Sequence, residues 1–81
     1  MTQNMKELLA TLANDRFTVN DCENILKALA NFARAKRHLK ESQTPEGDSL
    51  ARWEILDAET DWAHTCLVYG LPHWDARSLI E

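Results

Sequence analysis

The glycines and prolines of this chain fall at only two places. Pro45 lies close to Gly47, and Gly70 lies close to Pro72. These residues are the strongest local breakers of helices, so their positions leave two long stretches free to be helical. The pattern predicts an all-α fold.

We expect a small helical bundle built on a long antiparallel hairpin of residues 18–42 and 44–69. A short N-terminal helix and a short C-terminal helix complete it. The 81 residues are enough for one modest core, so a single domain spanning 1–81 is expected. A core this small favours extra burial through a homodimer or a protein partner.

Capping residues give the expected helix ends. The first helix is predicted to start at Asn4, with Glu7 as its reciprocal capping partner. The second is predicted to start at Thr18, because Asp21 stands three residues later. Gly70 should end the third, since glycine readily adopts the left-handed conformation that closes a helix.

The third helix carries two apolar seams. The first seam consists of Trp53, Leu56, Ala63 and Leu67. The second seam consists of Ile55, Ala58, Trp62, Cys66 and Tyr69. A helix with two apolar seams contacts two neighbours. One must be the second helix, and the other is the first helix, the C-terminal segment or another molecule.

One charge interrupts the apolar pattern of each long helix, Lys36 on the second and Glu59 on the third. An antiparallel hairpin that closes near residues 43–48 would bring the two side chains within reach of each other. We expect a buried charge pair that sets the hairpin register. The alternative is an acid with a tuned pKa in a pocket, but a single carboxylate without a nucleophile or second acid defines no reaction.

Charge restricts the classes of partner. The net charge of −4 argues against a protein that coats DNA, which normally carries a basic excess. A basic face on the second helix nevertheless allows a nucleic-acid-associated regulator as the alternative function; it consists of Lys27, Arg34, Arg37 and His38. An acidic face on the third helix could imitate phosphates toward a basic protein; it consists of Glu54, Asp57 and Asp61.

The sequence contains no motif that predicts catalysis, and we expect no enzyme, cofactor, metal or small-molecule substrate. His64, Cys66 and His73 lack the paired spacing that structural zinc sites show. The two cysteines, Cys22 and Cys66, are too few for a secreted disulfide framework, so a reducing cytoplasm is the expected location. Neither a secretory signal nor a membrane span is expected.

Three tryptophans are many for so short a chain, and tryptophan dominates interface energetics. We expect Trp74 to be exposed or at an interface, and Trp53 and Trp62 to be core or partly dimer contact. The predicted function is a non-enzymatic protein–protein interaction module, a small acidic adaptor or inhibitor of a larger assembly, of the kind that mobile elements carry. The expected partner-binding residues are Trp53, Glu54, Asp57, Asp61, Trp62, Tyr69, His73 and Trp74.

Overall fold

The computed structural model describes residues 1–14 and 16–81, and over this part of the chain it contains helices and no strand. The helices are α1 (Gln3–Leu12), α2 (Val19–Glu41), α3 (Pro45–Tyr69) and α4 (Ala76–Ile80). The predicted all-α bundle is confirmed. Since Asp15 lies outside the described residues, so does the centre of the predicted break after α1.

The two long helices α2 and α3 pack against each other as an antiparallel hairpin. Asn24 near the start of α2 meets Tyr69 at the end of α3, with 3.2 Å between amide nitrogen and phenol oxygen. His38 near the end of α2 meets Glu54 near the start of α3, with 2.8 Å between ring nitrogen and carboxylate oxygen. The molecule is therefore elongated, with extents of 45 × 23 × 19 Å.

The caps of α2 and α3 follow their local sequence. The Thr18 hydroxyl accepts from the Asp21 backbone nitrogen, and the Asp21 carboxylate accepts from the Thr18 backbone nitrogen, each at 3.1 Å. This is the predicted capping box. At the end of α3, Gly70 adopts φ 64°, a left-handed conformation that a side chain would strain.

The start of α1 differs from the prediction. Thr2, not Asn4, caps the helix by accepting from the Met5 backbone nitrogen at 3.0 Å. The Thr2 hydroxyl also donates to the Leu79 carbonyl at 2.9 Å, and Asn4 donates to the Ser78 hydroxyl at 2.9 Å. Both polar side chains are thus engaged with α4, a tertiary contact that capping rules do not include.

The core is one cluster to which every helix contributes. It consists of Leu8 and Leu12 of α1, the inward face of α2, the second seam of α3, and buried residues of the segment after α3. Its most enclosed large side chains are Trp62, Phe32, Leu8, Ile25, Leu79 and Cys66. The second seam is therefore the face with which α3 meets the rest of the molecule.

The expected Lys36–Glu59 pair does not form. Lys36 forms an ion pair with Glu81, and Glu59 accepts a hydrogen bond from Arg77 with 3.2 Å between Nε and Oε1. Both partners belong to the C-terminal segment. This segment lies close enough to α2 and α3 to pair with Lys36 and with Glu59 separately. The Lys36 and Glu59 side chains stay 30% and 32% exposed, so neither charge is buried as predicted.

Candidate functional site

The first seam of α3 is left uncovered. Trp53 is 66% exposed, Leu56 53% and Leu67 68%, and Ala63 is exposed as well. With Thr60 these residues recur at spacings of three, four, three and four along the helix. We call this row the outer stripe; it consists of Trp53, Leu56, Thr60, Ala63 and Leu67.

The position of the outer stripe explains its exposure. At 100° per residue, its centre lies about 140° around the α3 axis from the centre of the buried seam. Helix α2 packs on the buried seam, and α4 approaches the edge of the outer stripe, where Arg77 donates to Glu59 and shares a cavity with Arg52 and Leu56. Neither the first helix nor the C-terminal segment is thus the second neighbour that the two seams require.

The polar residue in the outer stripe does not oppose burial. The Thr60 hydroxyl donates to the Leu56 carbonyl at 3.0 Å, so its hydrogen-bonding capacity is used within α3. A partner that covers Thr60 would leave no donor without an acceptor. Sequence reasoning missed Thr60, although the spacing of its neighbours could have found it.

A second exposed strip borders the outer stripe. We call it the acidic edge; it consists of Leu50, Glu54, Asp57, Asp61 and Val68. Leu50 is 65% exposed and Val68 60%, and neither residue was predicted to bind a partner. The acidic edge therefore combines apolar surface with negative charge.

The acidic edge meets the basic face of α2 across a groove. Arg34 and His38 share a cavity of about 400 Å³ with Glu54, Asp57 and Asp61. His38 is already paired with Glu54. A phosphate that approached Arg34 would also approach Asp57 and Asp61, which line the same cavity, so repulsion would offset the attraction.

Of the two remaining basic residues of the alternative site, Lys27 extends the basic face and Arg37 lies apart from it. Lys27 and Arg37 are exposed, but Arg37 lies roughly 60–100° around the α2 axis from the other three. Lys27, Arg34 and His38 share one side, as the sequence predicts. The hairpin then places the acids of α3 beside them.

The tryptophans agree with the prediction only in part, since Trp62 lies in the core as expected. Trp62 is only 2% exposed, and its indole nitrogen donates to the Trp74 carbonyl at 2.9 Å. Trp62 is therefore a core residue that fastens the C-terminal segment to α3, and it is not available to a partner. Trp74 is half-buried against the core instead of free, and Trp53 is exposed because the first seam has no cover.

The other two predicted contact residues lie at the far end of α3. Tyr69 is half-buried, packs near the Phe17 ring with 6.5 Å between centroids, and accepts a hydrogen bond from Asn24. Its phenol thus helps to close the hairpin. His73 is exposed in the segment between α3 and α4, away from the outer stripe.

The two cysteines are free thiols that differ in burial. Cys66 is buried, and its removal from water raises the pKa of the thiol above its ordinary value. The Cys22 sulfur is half-buried 3.6 Å from the Leu12 carbonyl oxygen. Within residues 1–14 and 16–81, no three His, Cys, Asp or Glu side chains converge as metal ligands would.

Comparison with known proteins gives no relative from which a role for the outer stripe could be inferred. No protein-family model, curated protein or solved structure matches this chain. Among the described helices, none combines the length and the apolar character needed to cross a bilayer.

Proposed function

We propose that this chain is a non-enzymatic protein–protein interaction module, a small acidic adaptor or inhibitor that binds a larger assembly. The single observation that carries the proposal is the outer stripe, a row of apolar side chains on the side of α3 that faces away from the core. Contiguous apolar surface of this kind typically marks an interaction site on a small protein.

The size of the outer stripe is sufficient for recognition. Trp53, Leu56 and Leu67 expose 66%, 53% and 68% of their surfaces. Together this is on the order of 400 Å² per chain, since a large aromatic side chain alone can bury about 150–250 Å². Burying it contributes roughly 10 kcal/mol before the entropic cost of association is subtracted. An exposed tryptophan among leucines also resembles the anchors of binding hot spots.

The acidic edge supports a basic partner. Asp57 and Asp61 are exposed on the same side of α3 as Leu50 and Val68. Carboxylates that border an apolar surface increase the association rate with a positively charged protein and select against acidic ones. They also keep the exposed apolar surface soluble.

The proposal assigns no reaction to the chain. Glu59, the carboxylate that the sequence pattern singles out, is hydrogen-bonded to Arg77 and partly exposed. Cys66 is held as a buried thiol. Catalytic acids and nucleophiles instead act within a site that also positions substrate.

The test is affinity capture from the native host with the tagged chain and two variants, each of which replaces one exposed apolar side chain by alanine. Trp53→Ala removes the largest side chain of the outer stripe, and Val19→Ala removes a 77% exposed apolar side chain from α2. We expect the wild type and Val19→Ala to retain the same protein partner, and Trp53→Ala to retain at least tenfold less, as for a hot-spot residue. Circular dichroism should show equal helicity for all three.

Two results would contradict the proposal. One is equal recovery of the same proteins by wild type and Trp53→Ala. The other is recovery of nucleic acid alone, with loss on raising the salt concentration, which would favour the alternative regulator that uses Lys27, Arg34 and His38.

A further inference from the structure

The outer stripe has the spacing of a coiled-coil seam. Its residues alternate between the two core positions of a heptad, with Trp53, Thr60 and Leu67 at one and Leu56 and Ala63 at the other. Helices that repeat this spacing pack along each other by inserting these residues into holes on the facing helix. The partner that fits the spacing best is therefore a second straight helix of similar length.

The hairpin leaves room for such a partner. Helix α2 lies on the buried seam, nearly opposite the outer stripe, so a second α3 can approach without meeting α2 of either chain. Thr60, at the centre of the stripe, has its hydroxyl hydrogen-bonded within α3. The approaching surface is thus apolar along its length.

The charges beside the outer stripe point to a second copy of this chain. One flank carries Arg52 and Glu59, and the other carries Asp57 and His64. Each flank thus combines a carboxylate with an arginine or imidazole side chain, so a partner helix of one sign would be attracted at some positions and repelled at others. A face that is complementary to itself needs this mixture. Within one chain Arg52 also lies 3.7 Å from Asp48, and Glu59 also accepts from Arg77.

A parallel arrangement satisfies these charges. In a parallel pair, each residue on the flank of Arg52 and Glu59 faces a residue on the other flank of the second helix, five positions later in the sequence. Arg52 then faces Asp57 of the second copy, and Glu59 faces His64 of the second copy. Two-fold symmetry doubles both contacts.

Antiparallel arrangements fit the same residues less well. The register that sets Trp53 against Ala63 of the second copy places Glu59 beside Glu59 and Asp57 beside Asp57. The next register brings Asp57 to His64 but sets Trp53 against Gly70, beyond the end of the stripe. Only the parallel register combines full overlap with opposite charges.

The buried area is adequate for a dimer. The three large side chains of the stripe contribute on the order of 400 Å² from each copy, and the flanking residues bring the total above the roughly 1,000 Å² expected of a specific interface. We propose that the outer stripe is the interface of a parallel two-fold dimer of this chain, with Arg52–Asp57 and Glu59–His64 contacts across it. This inference rests on the proposed function, since it names the occupant of the same surface and leaves Glu54, Asp61 and Val68 of each acidic edge open to a larger partner.

The test is the mass of the purified protein, measured by light scattering and sedimentation over a concentration series. Four proteins are compared: wild type, Arg52→Glu, Asp57→Lys, and the variant with both changes. We expect a wild-type dimer, an approximately tenfold higher dissociation constant for each single variant, and recovery to within about threefold in the double variant. Arg52 and Asp57 are both exposed, so all four proteins should have the same helicity.

Two outcomes would overturn the inference. A wild-type chain that stays monomeric at every concentration has no second copy on its outer stripe. A double variant no tighter than the single ones means that Arg52 and Asp57 do not meet in a parallel dimer. A monomer that still captures a host protein through Trp53 would refute the dimer while leaving the proposed function intact, and a dimer that captures nothing would do the reverse.

Discussion

Replacing Trp62 by phenylalanine is expected to destabilise the fold far more than the same replacement at Trp53. Trp62 is 2% exposed and donates its indole hydrogen bond to the Trp74 carbonyl at 2.9 Å. Trp53 is 66% exposed. The two changes are chemically identical, so any difference between them reports the environment of the indole.

The magnitude at Trp62 follows from two losses. Phenylalanine cannot donate to the Trp74 carbonyl, which costs about 1 kcal/mol for a partly buried acceptor left without its donor. The smaller ring leaves a void of roughly 40 Å³, which costs about 1 kcal/mol more. The free energy of unfolding should therefore fall by about 2 kcal/mol, out of roughly 4–12 kcal/mol for a domain of this size. The melting temperature should fall by about 10 °C.

Urea unfolding followed by far-ultraviolet circular dichroism measures both variants. The protein concentration should be kept low enough for the chains to be monomeric, so that loss of association does not contribute at Trp53. We expect Trp53→Phe to stay within about 0.5 kcal/mol of the wild type. Equal destabilisation by the two variants, or a change below about 0.5 kcal/mol at Trp62, would refute the assignment of Trp62 to the core.

Two further predictions concern charge. A double-mutant cycle with Lys36→Ala and Glu59→Ala should give a coupling energy below about 0.5 kcal/mol, because each residue pairs with the C-terminal segment; a coupling above about 1 kcal/mol would restore the pair that the sequence predicts. Burial raises the pKa of the Cys66 thiol above 9.0, so the unfolded chain loses this proton first and stability should fall as the pH rises past about 9. Cys66→Ala should flatten that slope in unfolding experiments, and an unchanged slope would contradict the reasoning.

The sequence alone was sufficient for the elements and their order. The helix limits near Pro45 and Gly70 depend on the backbone preferences of those residues, and the start of α2 depends on two side chains three residues apart. These are local effects, which act whatever the rest of the chain does. The short loop between α2 and α3 then makes an antiparallel hairpin the direct consequence.

The pattern of the third helix also showed more apolar surface than one neighbour can cover. Periodicity alone did not show which seam would face the core, because both seams have suitable residues at helical spacing. The difference between Trp62, which is buried, and Trp53, which is exposed, follows from this choice. The missing cover over Trp53 is visible only after all the helices have been placed.

The path of the C-terminal segment determines the partners of Lys36 and Glu59 and the contacts at the start of α1. Arg77 and Glu81 lie far along the chain from Glu59 and Lys36, yet the fold brings each to its partner. Thr2 caps α1 while also bonding to Leu79 for the same reason. Capping, periodicity and helix breaking involve neighbours within a few residues, and the amino-acid order by itself determines them. Which charge meets which partner, and which apolar face stays in water, depends on contacts between distant segments, and only the tertiary structure settles these.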